Sequence, residues 1–123
     1  MDLRAKQALL GPADPYDEDF ERPRIERAID RAYHPAGYVR QLGAIMAAPG
    51  RLLRLRSLRI PTLVIHGDAD ILVPVDNGRN VAAAVPGARM IEIKGMGHDV
   101  PRRVWPQVVE AVAEIAGQAT AAC

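Results

Sequence analysis

Residues 60–74 read IPTLVIHGDADILVP, and the texture of the chain changes at Pro61. Thr62, Leu63, Val64 and Ile65 form a continuous apolar run of strand length closed by His66 and Gly67, the pattern of a buried parallel strand. Downstream, Asp76 is placed to cap a helix over residues 76–85 that carries Val81, Ala84 and Val85 and stops at Pro86 and Gly87. Residues 88–93 then alternate as a second strand. A strand, helix, strand order of this kind crosses over right-handed in nearly all cases, so the two strands are expected to lie parallel and close together. Pro106 opens a last helix over residues 106–117, with Val108, Val112 and Ile115 on one stripe and Val109, Ala113 and Ala116 beside it. The fold class is therefore α/β, built on two parallel strands with a crossover helix and a covering helix.

Upstream of Pro61 the sequence is helical. Residues 11–23, GPADPYDEDFERP, combine three prolines and a glycine with five acidic residues and read as a solvated connecting loop. Pro23 suits the first turn of a helix in which Ile25, Ala28, Ile29 and Ala32 recur at helical spacing, and Pro35 ends it. Val39, Leu42, Ile45 and Met46 mark a second packing helix that ends near Pro49 and Gly50. The stretch from Arg51 to Pro61 reads as a short amphipathic turn whose leucines pack while Arg51, Arg54, Arg56 and Arg59 stay in water.

Composition narrows the function. The chain has 123 residues, 49% apolar and 25% charged, which suits a folded globular protein and is too apolar for a disordered tail. Sixteen Lys and Arg against fifteen Asp and Glu leave +1, without the basic excess of a nucleic-acid binder. No run approaches the length of a membrane span, and Asp2, Arg4 and Lys6 interrupt any signal-peptide core, so no membrane partner and a cytoplasmic location are expected. Cys123 is the only cysteine; it allows no internal disulfide and no zinc site of its own, in keeping with a reducing compartment.

Two loops leave the carboxyl ends of the expected strands, where open α/β sheets place their ligands. One is His66 to Pro74; the other is GMGHDVP, residues 95–101. Asp70 and His98 stand on these loops, and the intervening strand, helix and strand bring the loop tips side by side. A carboxylate beside an imidazole accepts the Nδ1 proton, fixes the tautomer, and lets Nε2 take a proton from a nucleophile and later return it.

IPTLVIHGDADILVP together with GMGHDVP resembles the C-terminal part of the α/β-hydrolase family, whose last two strands end in an acid loop and a histidine loop. The resemblance implies that Asp70 is the acid and His98 the general base, with Asp68 the weaker choice of acid. It covers Leu58 to about Ala116 strongly. Residues 1–57 resemble the end of a helical cap, which gives an expected division into a cap-like segment, 1–57, and a core segment, 58–123. The likeness is nearest to small esterases and lipase-like hydrolases of the aclacinomycin methylesterase type, and it implies a small-molecule carboxylic ester as substrate and no cofactor.

The sequence departs from that family in one respect. The family's nucleophile sits on a G-x-S-x-G elbow, and the sole serine, Ser57, lies between Arg56 and Leu58 without elbow glycines. Ser57 reads as a helix-end residue. The chain is expected to supply acid and base but no nucleophile, and to be inactive alone. The competing reading is a noncatalytic truncated fragment or interaction module that folds with a partner. His66 reads as a structural imidazole bonded to nearby backbone, and His34 as a helix-boundary residue. A metal set drawn from His66, Asp68, Asp70, His98 and Asp99 is chemically conceivable, but strand-end placement already accounts for Asp70 and His98, so no metal is expected. Gly95 and Gly97 are expected to let the histidine loop turn tightly rather than to hold a phosphate, since no Gly-Lys-Ser/Thr follows. Met96 and Trp105 read as packing residues. The first strand, lacking an earlier neighbour, is expected to leave an open apolar edge that promotes self-association.

Overall fold

A computed structural model of the chain describes residues 3–121 and divides it into two compact units. One contains the residues up to Tyr16 together with those from Arg51 onward, and the other is Asp17–Gly50. These cuts differ in place from a boundary after residue 57. Met1 and Cys123 lie outside the described residues.

The unit Asp17–Gly50 holds two helices, α2 (Glu18–Ala32) and α3 (Pro35–Ala47). Helix α2 starts earlier than Pro23 suggests. Asp17 caps it by accepting from the Phe20 amide at 3.1 Å, and Glu18, Asp19 and Glu21 crowd its first turn. Those negative charges favour the positive end of the helix dipole, so the helix extends through Pro23 although that residue has no amide proton to donate. The expected loop therefore ends at Asp17. His34 stands at the boundary before α3, with its Nε2 2.6 Å from Arg40. The stripe Val39, Leu42, Ile45 and Met46 was expected to pack, yet all four are exposed, and α3 buries none of its residues.

The other unit carries the sheet. Its elements are α1 (Leu3–Leu10), α4 (Leu52–Leu55), β1 (Leu63–Gly67), α5 (Val75–Ala84), β2 (Arg89–Ile93), a 3-10 turn (Arg102–Val104) and α6 (Trp105–Ala121). β1 and β2 pair in parallel, with Leu63 opposite Arg89 and Gly67 opposite Ile93. The Arg89 amide extends the ladder to the Thr62 carbonyl at 2.9 Å. Only Gly67 of β1 is buried; Leu63 to His66 are half-buried rather than enclosed, because the strand has one neighbour instead of two. Helix α5 is the crossover. It ends at Ala84, and in the turn beyond it Gly87 adopts φ +76°, a conformation that favours glycine. Asp76 is not its cap: Pro74 holds that position, and the Asp76 carboxylate pairs with Arg79 at 2.8 Å, while Arg79 also clamps Glu92 of β2 through two bonds of 2.7 Å.

Ile93, Met96 and Val104 form the buried core of this unit, with Ile65, Ile91 and Val108 packed against it. Helix α6 lays Val108, Ala111 and Ile115 inward, in line with Val104 of the 3-10 turn, while Val109 and Val112 are exposed. The expected stripe of 108, 112 and 115 thus holds at Val108 and Ile115 but takes Ala111 in place of Val112. Leu55 and Leu58 are half-buried, but Leu52 and Leu53 are exposed, so only part of the arginine-leucine turn packs.

Candidate functional site

The site lies where β1 and β2 end. β1 runs into Gly67, and the histidine loop passes directly over it: a Cβ at Gly67 would stand 2.1 Å from the Met96 carbonyl oxygen. Two backbone bonds tie the loops together, Asp68 amide to Ile93 oxygen at 3.2 Å and Ala69 amide to Met96 oxygen at 3.1 Å. The Asp68 carboxylate contributes a third, accepting from the Gly95 amide at 2.6 Å. Asp68 is thereby engaged in fastening loop to loop.

Asp70 faces the other way. Its Oδ1 accepts from the amides of Leu72 at 2.8 Å and Val73 at 2.9 Å, which fixes the carboxylate plane and leaves Oδ2 to accept from His98 Nδ1 at 2.9 Å. Only 4% of the Asp70 side chain is exposed, against 41% for His98. Burial alone would raise the Asp70 pKa, but the bonds from the Val73 amide, from His98 and from the Leu72 amide outweigh it and hold the carboxyl below its ordinary range. Asp70 is therefore ionised, and Nδ1 of His98 carries the proton it donates. Nε2 has no hydrogen-bond partner among the described residues. Beside it opens a cleft of about 320 Å³ whose walls include Ile65, Val73, Met96, Val100 and Val108.

The neighbouring residues sort accordingly. His66 Nε2 lies 2.9 Å from the Val73 carbonyl, to which it donates, and 3.4 Å from Asp70 Oδ2, so it braces the acid loop from beneath. Its ring is held against α5 so closely that a Cβ on Gly78 would lie 2.7 Å from Nδ1. Met96 is buried in the core and also lines the cleft; Trp105 donates from Nε1 to the Val100 carbonyl at 3.0 Å. Ser57 donates its hydroxyl to the Arg54 carbonyl at 2.8 Å, as a residue closing a helical turn does. Among the described residues, no three His, Cys, Asp or Glu side chains gather as metal ligands, and Asp99 pairs with Lys6. No helix among them is long and apolar enough to cross a membrane.

Gly95 and Gly97 have separate reasons. Gly95 has φ +72°, as a tight turn requires, whereas Gly97 has no positive φ. Its missing side chain makes room for another segment, since a Cβ there would lie 2.3 Å from the Leu9 carbonyl oxygen. That segment, residues 6–14, touches the histidine loop and carries two side chains to which the sequence assigns no part in the site, Lys6 and Asp14. A separation of 89 or more residues from their partners left no local signal for either.

No family model matches the chain. A rhodomycin D methylesterase from a Streptomyces species is 33% identical over 106 residues, which cover 85% of this chain and 35% of that protein. A 2-hydroxy-6-oxononadienedioate/2-hydroxy-6-oxononatrienedioate hydrolase from Cupriavidus pinatubonensis is 29% identical over 99 residues, 77% of this chain and 33% of that one. Among solved structures, a protein described as a non-heme bromoperoxidase from Mycobacterium tuberculosis aligns at 30% identity and a TM-score of 0.47, over 55% of this chain and 25% of that chain. The chain spans about a third of the length of the two curated relatives. The strand-end loops carrying a hydrogen-bonded Asp70 and His98, together with the methylesterase and hydrolase relatives, make this chain similar to part of the α/β-hydrolase fold.

Proposed function

We propose that Asp70 and His98 are the acid and general base of a carboxylic-ester hydrolase, and that the nucleophile they serve is not among these 123 residues. One observation carries the reading: His98 gives its Nδ1 proton to a buried, ionised Asp70 and keeps Nε2 unpartnered beside an apolar cleft. In the reaction, Nε2 removes the proton of a nucleophile's hydroxyl as that oxygen attacks the ester carbonyl. The imidazolium so formed is held by Asp70. It returns the proton to the departing alkoxide as the acyl–oxygen bond breaks, and the same exchange with water then releases the acid. These steps call for no cofactor. The methylesterase named among the relatives supports an ester as the substrate class. Residues 1–57 take the part of a cap in this reading, and the location is cytoplasmic.

The test joins the chain to an upstream segment bearing a G-x-S-x-G serine and measures turnover of activated esters. Asp70→Asn and His98→Ala should each lower kcat by about 10⁴-fold, and Asp68→Asn far less. The chain alone should neither turn over the ester nor take a fluorophosphonate label. An essential Asp68 with a dispensable Asp70 would refute the assignment.

A further inference from the structure

The last four carbonyls of an α-helix have no partner within it, and at the end of α1 two of them are taken by the histidine loop. The Asp99 amide donates to the Leu9 carbonyl and the Gly97 amide to the Leu10 carbonyl, each at 2.8 Å. These are the amides on either side of His98. A third bond runs the other way, from the Ala13 amide to the Gly95 carbonyl at 3.2 Å. The segments meet backbone to backbone: a Cβ on Gly11, whose φ is +93°, would lie 2.5 Å from both the Gly95 oxygen and the Gly97 nitrogen.

Side chains fasten both ends of this contact. Lys6 of α1 pairs with Asp99, next to His98, with both groups largely buried. Asp14, 10% exposed, accepts two bonds from Arg103 at 2.8 and 2.9 Å, a bidentate pair on the chain that leaves the histidine loop. Gln7 holds the intervening turn, donating to the Asp14 carbonyl at 3.0 Å and accepting from the Tyr16 amide at 2.6 Å. His98, by contrast, is the more exposed member of its own pair. An exposed ring on a loop keeps one geometry only if its backbone is held, and β2 ends before the loop begins.

We infer that residues 6–14 form a strap that sets the position of His98 against Asp70, with Lys6 and Asp14 as its positioning residues. The inference rests on the reading of His98 as the base, and it gives the segment ahead of the helical unit a part in the site. Neither residue touches the reacting atoms.

The test uses the 123-residue chain and needs no turnover. Amide hydrogen exchange and the His98 Nδ1 proton resonance are recorded for the unaltered chain, Lys6→Met, Asp14→Asn and Asp14→Glu. Losing a charge-assisted pair should speed exchange at Gly97 and Asp99 by about tenfold or more and broaden the Nδ1 resonance. Ile65 and Ile91 in the strand ladder should keep their rates, and Asp14→Glu should restore much of the protection. Unchanged exchange at Gly97 and Asp99 in both neutral variants would overturn the inference. So would an equal acceleration at Ile65 and Ile91, which marks a general loss of stability. If Asp14→Asn unfolds the chain, Lys6→Met, at the other end of the strap, decides between the same outcomes. A completed enzyme that fails to hydrolyse esters would sink the proposed function and leave these readings untouched.

Discussion

The carbonyl oxygen of Met96 lies 2.1 Å from the point where a Cβ on Gly67 would stand. The end of β1 and the histidine loop are in backbone contact there, and no side chain fits between them. Gly67→Ala should therefore displace the loop and unfold the site, as should Gly97→Ala, whose Cβ would lie 2.3 Å from the Leu9 oxygen. Gly117 in α6 has nothing within 4 Å, so Gly117→Ala should stabilise by about 0.5–1 kcal/mol through helix propensity. Urea unfolding of the three variants checks the contrast.

Asp70 gives the chain an acid limb of stability. Its folded pKa lies below the ordinary 3.8, so the folded state binds fewer protons than the unfolded state there. The stabilisation is complete above the unfolded value and is lost as pH falls through the folded one. Unfolding free energy measured between pH 6 and 2 should fall more steeply for the unaltered chain than for Asp70→Asn, with the difference confined to the region below about pH 4. Parallel curves would show that the carboxylate makes no such contribution.

Helix α6 offers a test of its register. Ile93 sits in the core beneath it, so Ile93→Val should cost about 0.5–1.5 kcal/mol. Val112, half exposed, lay on the expected inward stripe but faces out, and Val112→Thr should change stability by no more than about 0.5 kcal/mol. A larger effect at Val112 than at Ile93 would favour the stripe of 108, 112 and 115.

The β1–β2 sheet was legible because an unbroken apolar run bounded by proline and glycine has few other readings, and the Asp70–His98 pairing followed from strand order. The starts of α2 and α5 were misread for a common reason. Several residues near each could cap or open a helix; at α2 the Asp17 cap and the acidic first turn decided, and at α5 Asp76 pairs with Arg79, which also holds Glu92 of β2. The strap was illegible because its backbone bonds and glycine contacts leave little mark on residue type, and its two ion pairs join residues 89 or more positions apart. The half-burial of β1 and the exposure of the α3 stripe depend on how many neighbours an element has, and apolar periodicity does not record that number.

Among the described residues β1 pairs with β2 on one side only, which leaves its other edge open, and the isolated chain is expected to self-associate through it. Light scattering after size-exclusion chromatography should show a mass that rises with concentration, and amides of residues 63–67 should gain protection in parallel. A cooperatively folded monomer at tens of micromolar would contradict this.

The bond between His98 and Asp70 is read most directly by ring nitrogen-15 spectroscopy of the histidines in the unaltered chain and in Asp70→Asn. With its ring neutral, His98 should show a protonated Nδ1 and a bare Nε2 in the unaltered chain, and Asp70→Asn should shift it toward the Nε2–H tautomer while Asp68→Asn leaves it in place. An unaltered chain with His98 already in the Nε2–H form, or a tautomer indifferent to Asp70→Asn, would contradict the assignment of Asp70 as the acid that orients this base.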